Sequence, residues 1–305
     1  WINFLKRYLN GNIKIDYNEF FIISLSLNMS EVVLIDGEVE SKISIFNRNM
    51  QYGDGLFETC VAKDNKVLFW ENHFDRLDNG CERLNIKKIE NSIWLKDIKK
   101  ALSLSSENNC IVKLILSRGN SLRGYSYSKD IEPVRVVIVS QMNEYKTKET
   151  YSLEFAISGF HSNPNLAGIK HCNRLEQILA RTNMLADEAI MLDENQSVVS
   201  VTQGNIYLIF GNKLITPKLE RCGVIGSRRS IILELSRLTN LEVREDDISI
   251  KQLEKANEVF VSNSLIGIQP VTSIGDYYLT NNPITEKISA AYSSITQDIK
   301  SWTCL

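Results

Sequence analysis

The residues best able to do chemistry gather at three glycine-bearing turns and one lysine. Gln51-Tyr52-Gly53-Asp54-Gly55 stands just before a strand-like run, Ser117-Arg118-Gly119 through Arg123-Gly124-Tyr125 follows another, and Cys222-Gly223-Val224-Ile225-Gly226 opens a helix. The last suits an anion, because N–H groups at a helix start lack intrahelical acceptors. Its glycine spacing matches neither a P-loop nor a dinucleotide fingerprint, and taken by itself a Gly-x-x-Gly before a helix is most often a plain turn. Lys170 lies in Ala167-Gly168-Ile169-Lys170-His171, among small and apolar neighbours. Loss of solvation there lowers an ammonium pKa and yields a nucleophile for Schiff-base chemistry. An arbitrary lysine is a solvated surface group, and a lone histidine such as His171 is usually structural.

These turns need strands and helices to aim them. Val32 to Ile35, Phe57 to Ala62, Val67 to Trp70, Ile111 to Ser117 and Val134 to Val139 are rich in β-branched and aromatic residues and predict strands. Glu71 to Leu84 carries Phe74, Leu77, Cys81 and Leu84 at helical spacing, and Trp94 to Leu104 predicts a second helix. Ser158 to Gly168, with Asn163-Pro164-Asn165, is polar and turn-rich and predicts an interdomain linker. A helix then places Leu175, Ile178, Leu179 and Thr182 on one face. Strands resume at Glu188 to Leu192, Ile206 to Phe210, Lys213 to Thr216 and Val259 to Ser262, with helices at Ser227 to Leu238 and, closing the chain, Ile284 to Ile299. The expected organisation is an extension outside the fold at 1–28, an N-terminal α/β domain at 29–157, the linker at 158–168 and a C-terminal α/β domain at 169–305. The first of these rests on Met29, which begins a run like a natural amino terminus entering a first strand.

Composition excludes several function classes. In 305 residues the net charge is −2, which favours neither nucleic acid nor an anionic membrane, and leaves a small molecule as the expected partner. Hydrophobic residues make up 43 %, enough for a buried core. Six scattered cysteines with no CxxC spacing oppose a disulfide framework, and the three histidines show no zinc-ligand spacing with them. A reducing, cytoplasmic compartment is expected. No apolar run reaches the roughly 18–20 residues that span a bilayer.

Several motifs in order resemble the class IV aminotransferase-like family. They are the three glycine turns above, His73-Phe74-Asp75-Arg76-Leu77 and Ala186-Asp187-Glu188-Ala189. The run Gly168-Ile169-Lys170-His171-Cys172-Asn173-Arg174-Leu175-Glu176-Gln177 is similar to the cofactor-lysine motif of the aminodeoxychorismate lyases within that family. The resemblance covers about Leu34 to Val271. It implies a mixed α/β, two-domain fold type IV enzyme, like the D-amino-acid and branched-chain aminotransferases, with pyridoxal 5'-phosphate as cofactor and a homodimeric state.

Residue by residue, the resemblance implies that Lys170 bears the cofactor and acts as general base. It gives Arg76 the phosphate, with the N–H groups of Ile225 and Gly226 completing a cradle. Asn263 and Ser264 fall on the phosphate side, and Tyr125 projects near the substrate. The implied reaction converts 4-amino-4-deoxychorismate to 4-aminobenzoate and pyruvate, for folate synthesis. An aminotransferase acting on branched-chain or D-amino acids would share the lysine, arginine and cradle. The family usually sets a glutamate beside the pyridine nitrogen, and the gap-free count from Asp193 to Asn205 puts Ser200 there. A hydroxyl cannot offset a pyridinium charge as a carboxylate does. That departure weighs more against transamination than against elimination, and it is also what a cofactor-binding homologue with weakened catalysis would show.

Overall fold

The computed structural model describes residues 31–142 and 148–305. The expected extension at 1–28 lies outside them.

The chain first builds β1 (Glu31–Ile35), β2 (Glu38–Val39), β3 (Gly55–Lys63), β4 (Lys66–Leu68), β5 (Asn109–Ser117) and β6 (Val134–Gln141). It continues with β7 (Tyr151–Phe155), β8 (Glu188–Leu192), β9 (Ser197–Val201), β10 (Asn205–Phe210) and β11 (Lys213–Pro217). Then come β12 (Glu242–Asp246), β13 (Ile248–Ser249), β14 (Glu258–Asn263), β15 (Gly267–Ile274), β16 (Tyr277–Tyr278) and β17 (Trp302–Cys304). The helices are α1 (Arg48–Tyr52), α2 (Trp70–Leu84), α3 (Asn91–Leu104), α4 (Leu175–Ala180), α5 (Arg229–Leu238), α6 (Ile250–Leu253) and α7 (Pro283–Gln297).

Among the described residues the strands form two sheets. One runs β17-β4-β3-β5-β6-β1-β2; the other runs β12-β11-β10-β14-β15-β7-β8-β9-β13, with β16 on β15. Both sheets are mixed with helices along the chain, as the α/β reading expects. β7 precedes the segment expected to link two domains and belongs to the second sheet, while β17, at the far end of the chain, belongs to the first.

Sequence pattern explains the first sheet. β3 and β5 pair antiparallel over nine positions, from Gly55 with Ser117 to Lys63 with Asn109. Leu56, Glu58, Cys60 and Ala62 of β3 are buried on one face, which leaves Phe57 and Thr59 on the other. α2 covers the buried face with Trp70, His73, Leu77 and Cys81 at three- and four-residue spacing. Asn85 ends that helix in the left-handed region at φ 51°, its N–H within reach of the Cys81 carbonyl. In the second sheet β10 and β14 are buried on both faces almost throughout, which is why they read as continuous apolar runs.

Three local expectations change. Trp70 is the first residue of α2, not a strand end, because Phe69 turns the chain at φ 51°. The face of α4 bearing Leu175, Ile178 and Leu179 is exposed; Gln177 and Ala180 point inward. Finally, α7 does not close the chain. A 3-10 turn follows it, and β17 then adds to the free edge of β4 through Trp302–Leu68 pairing.

Candidate active site

Lys170 sits in an irregular stretch stitched on both sides. Toward the first sheet, the N–H of Phe57 donates to the Lys170 carbonyl at 3.0 Å and the N–H of Cys172 to the Gly55 carbonyl at 2.9 Å, so residues 170–172 extend the early half of β3. Toward the turn before α5, the N–H of Gly168 donates to Gly223 at 2.9 Å and the N–H of Ile225 to Gly168 at 3.0 Å. Gly168 has φ +83° and faces Ile225, which explains a glycine at that point. The Lys170 amine lies 4.2 Å over the Phe57 ring. Burial, reinforced by the Arg76, Arg174 and Lys113 cations and only partly opposed by Glu58, lowers its pKa to about 7.

The amine opens on a cleft of about 400 Å³. Arg76, Ser200, Gly226, Asn263 and Ser264 line it with Lys170, so most of the residues singled out in the sequence meet there. Two do not. Tyr125 is 84 % exposed and packs edge-on against Tyr52 at 5.5 Å, away from the cleft. Ile225 is absent from the lining, and its N–H is already engaged by Gly168.

Arg76 is held more tightly than a free clamp would be. Its Nε and Nη2 donate to the two Glu58 oxygens at 2.7 and 2.6 Å, and Nη1 donates to the Ile225 carbonyl at 2.9 Å. His73 Nδ1 lies 2.6 Å from Glu58 Oε2. Burial pushes the Glu58 carboxyl up, but Arg76 and His73 together outweigh it and hold its pKa near 2. Burial lowers His73 to about 4 against the pull of Glu58, so at neutral pH the imidazole is uncharged. Its Nδ1–H then serves Glu58, and Nε2 faces the Ser227 hydroxyl at 3.5 Å. Glu58 was not singled out in the sequence, although an acid at an inward position of an alternating strand was a readable signal.

The N–H groups of Ile225 and Gly226 expected to cradle a phosphate are both engaged within the protein, and the free donors lie further along the chain. Asn205 latches the turn by accepting from the Gly226 N–H and donating to the Val224 carbonyl, both at 2.9 Å. Beyond it the N–H groups of Ser227 and Arg228 have no acceptor among the described residues. Arg228 is 1 % exposed, and its Nε and Nη1 are buried without partners. Donors exceed acceptors at this end of the cleft, which is the chemistry a phosphate dianion needs. A Cβ on Gly226 would stand 2.1 Å from Asn205 Oδ1, so the close approach requires glycine. Asn263 closes the following turn with its side-chain Oδ1, which accepts from the N–H groups of Leu265 and Ile266.

Among the described residues no aspartate or glutamate lines the cleft; Arg76, Lys170, Arg174, Arg181 and Arg228 all do. Glu188 stands behind Arg181, accepting from its Nη1 at 2.9 Å. Ser200 is 5 % exposed, and its hydroxyl donates to the Val201 carbonyl at 2.9 Å. Among the described residues, no group of histidine, cysteine and acids is disposed to hold a metal ion, and no helix is long and apolar enough to cross a membrane.

Two unlike sheets with a lysine stitched between β3 and a phosphate-type turn define a fold type IV enzyme. The family described as amino-transferase class IV matches residues 55–274. The chain belongs to that family, whose cofactor is pyridoxal phosphate. It is 30 % identical over 249 residues to aminodeoxychorismate lyase of Vibrio harveyi, covering 79 % of this chain and 90 % of that one. It is 24 % identical over 257 residues to D-alanine aminotransferase of Listeria monocytogenes, covering 82 % and 89 %. The solved structure of 4-amino-4-deoxychorismate lyase from Pseudomonas aeruginosa superposes with a TM-score of 0.82 at 31 % identity, covering 86 % of this chain and 98 % of that one.

Proposed function

We propose that this chain is a lyase that converts 4-amino-4-deoxychorismate to 4-aminobenzoate and pyruvate, serving folate synthesis. The observation that carries the reading is that Lys170, its pKa lowered to about 7, faces a cleft with four arginines and, among the described residues, no carboxylate. Such a wall accepts an anionic amine and offers no acid to hold a ring nitrogen protonated.

Pyridoxal phosphate, when bound, supplies an aldehyde that captures a primary amine and a ring that takes up electrons. The free N–H groups of Ser227 and Arg228 and the unpaired Arg228 guanidinium would fit its phosphate, with Arg76 anchored beside them; the Gly226 N–H is held by Asn205. Lys170 Nζ would hold the aldehyde end of that group and, when free, would be placed to take the proton from the amine-bearing carbon of the substrate. The bond from the ring to the enolpyruvyl oxygen breaks, the six-membered ring becomes aromatic, and the departing group takes a proton from Lys170 or water to leave as pyruvate. Aromatisation makes the step strongly downhill, so Ser200 in place of a carboxylate limits it less than it limits amino transfer. The similarity to lyases at 30 and 31 % identity supports the same reading.

The test is to incubate the cofactor-loaded protein with 4-amino-4-deoxychorismate and no oxo acid. Equal amounts of pyruvate and 4-aminobenzoate are expected. Turnover that requires 2-oxoglutarate, with D-alanine or a branched-chain amino acid as donor, would instead establish the aminotransferase reading that the D-alanine aminotransferase relative supports. A homodimer in the cytoplasm remains part of the proposal, and the exposed apolar face of Leu175, Ile178 and Leu179 suits a subunit contact.

A further inference from the structure

The cations of the cleft are not equivalent. Arg76 is neutralised by a bidentate contact to Glu58. Arg181 is neutralised by Glu188, which it meets at 2.9 Å, and it also holds Thr202 at 2.8 Å. Arg228 lies at the end where donors await the phosphate, 4.6 Å over the Phe69 ring. Lys170 is the reacting amine. That leaves Arg174. Its Nε donates to the His171 carbonyl at 2.7 Å, which fixes the guanidinium plane. No carboxylate among the described residues pairs with it, and its Nη2 is buried with no partner. Burial lowers its pKa to about 10, which still leaves it charged at neutral pH.

Its placement is as telling as its lack of a partner. The Arg174 guanidinium carbon lies 5.9 Å from the same Phe57 ring over which Lys170 sits at 4.2 Å. One apolar ring thus carries the reacting amine and an uncompensated fork of donors. A buried, unpaired charge is costly, and a planar fork with free N–H groups matches a carboxylate in two-point contact.

We propose that Arg174 is the receptor for a substrate carboxylate, and so sets the preference of the cleft for amines that carry an acid group. The assignment deepens the lyase reading and rests on it for the identity of the substrate. Its geometry would serve any carboxylate presented while an amine reaches Lys170. Arg181, already bonded to Glu188, shapes the neighbouring wall and is not the receptor.

The experiment compares benzoate with benzamide, which has the same shape and no charge, as ligands of the cofactor-loaded protein. Binding is read by calorimetry, so no turnover is needed. The parent is expected to prefer benzoate. Arg174→Met is expected to lose that preference at least tenfold, to raise KM for the amine substrate more than it lowers kcat, and to keep the cofactor absorbance. Arg181→Met is expected to keep the preference. Arg174→Gln gives the same comparison if the methionine variant fails to load cofactor. A benzoate preference that survives loss of the Arg174 charge, or that disappears with Arg181 instead, overturns the assignment. Failure to form pyruvate and 4-aminobenzoate while the Arg174-dependent preference persists overturns the lyase reading and leaves the receptor standing.

Discussion

At the scale of single residues, Lys170 is proposed to carry the chemistry because its surroundings favour the uncharged amine over the ammonium. Lys170→Ala is expected to abolish the cofactor absorbance of the bound state and nearly all turnover. A borohydride-reducible adduct found on another lysine would refute the assignment. Because the Lys170 pKa is lowered to about 7, the uncharged fraction grows as pH rises and saturates above that value. Cofactor uptake by the apoprotein should therefore level off above about pH 7; a rate still climbing near pH 10 would show an ordinary, solvated lysine. Arg76 pairs with Glu58, and a proposed contact to the cofactor phosphate would be lost in the same substitution. Arg76→Ala should weaken cofactor retention, and it should also strand the Glu58 carboxylate, which is 1 % exposed, at about 3–5 kcal/mol. Adding Glu58→Gln to that variant should recover much of the lost stability, read by chemical denaturation, without restoring cofactor affinity. Ser200→Glu addresses the missing carboxylate: it should raise amino transfer to an oxo acid relative to pyruvate release. An unchanged ratio in a variant that binds cofactor would show that position 200 does not act on the ring nitrogen.

At the scale of elements, the site depends on one strand and one turn approaching unusually closely. β10 contributes Asn205, and the segment before α5 contributes Gly226, whose absent side chain lets the Asn205 amide bridge the turn. Gly226→Ala must displace the Asn205 amide oxygen 2.1 Å away, in a side chain whose oxygen and nitrogen each make one hydrogen bond to this turn. A cost of about 1–3 kcal/mol is expected from the overpacking, with cofactor affinity lowered tenfold or more because the free N–H groups of Ser227 and Arg228 move with the turn. A variant with unchanged melting temperature and cofactor affinity would mean that Asn205 is not a latch. The glycines of this turn were visible in the sequence. Asn205, some twenty residues earlier in a different strand, was not, because an asparagine at a strand start has no local signature that distinguishes a latch from a turn residue.

At the scale of the whole molecule, burial links folding to pH. His73 and His171 are each lowered from 6.5 to about 4, His73 by burial against the opposing pull of Glu58 and His171 by burial with Arg174 adding. The unfolded chain binds protons at these sites before the folded one does, so their contribution is complete above pH 6.5 and is lost as pH falls toward 4. Glu58, lowered from 4.5 to about 2, extends the loss below that window. Denaturation midpoints measured from pH 7 down should decline first through the histidine window and further below pH 4.5. A flat midpoint between 6.5 and 4 would contradict the burial of both imidazoles.

What the sequence determined by itself was whatever depends on neighbours along the chain. Period-two and period-3.6 patterns located β3, β5, α2 and α5, and the order of short motifs identified the family and pointed to Lys170. What only the tertiary structure decided depends on residues far apart in sequence. Whether Arg76 is a free clamp turned on Glu58, eighteen positions earlier on a facing strand. Which N–H groups await an anion turned on Gly168 having already taken that of Ile225. Whether Tyr125 reaches the cleft turned on Tyr52 packing against it at the surface. That Arg174 and Arg228 are left without a counter-ion among the described residues emerges only when each cation is set beside the acid that folding brings to it, since Coulomb energy follows distance in space and not separation along the chain.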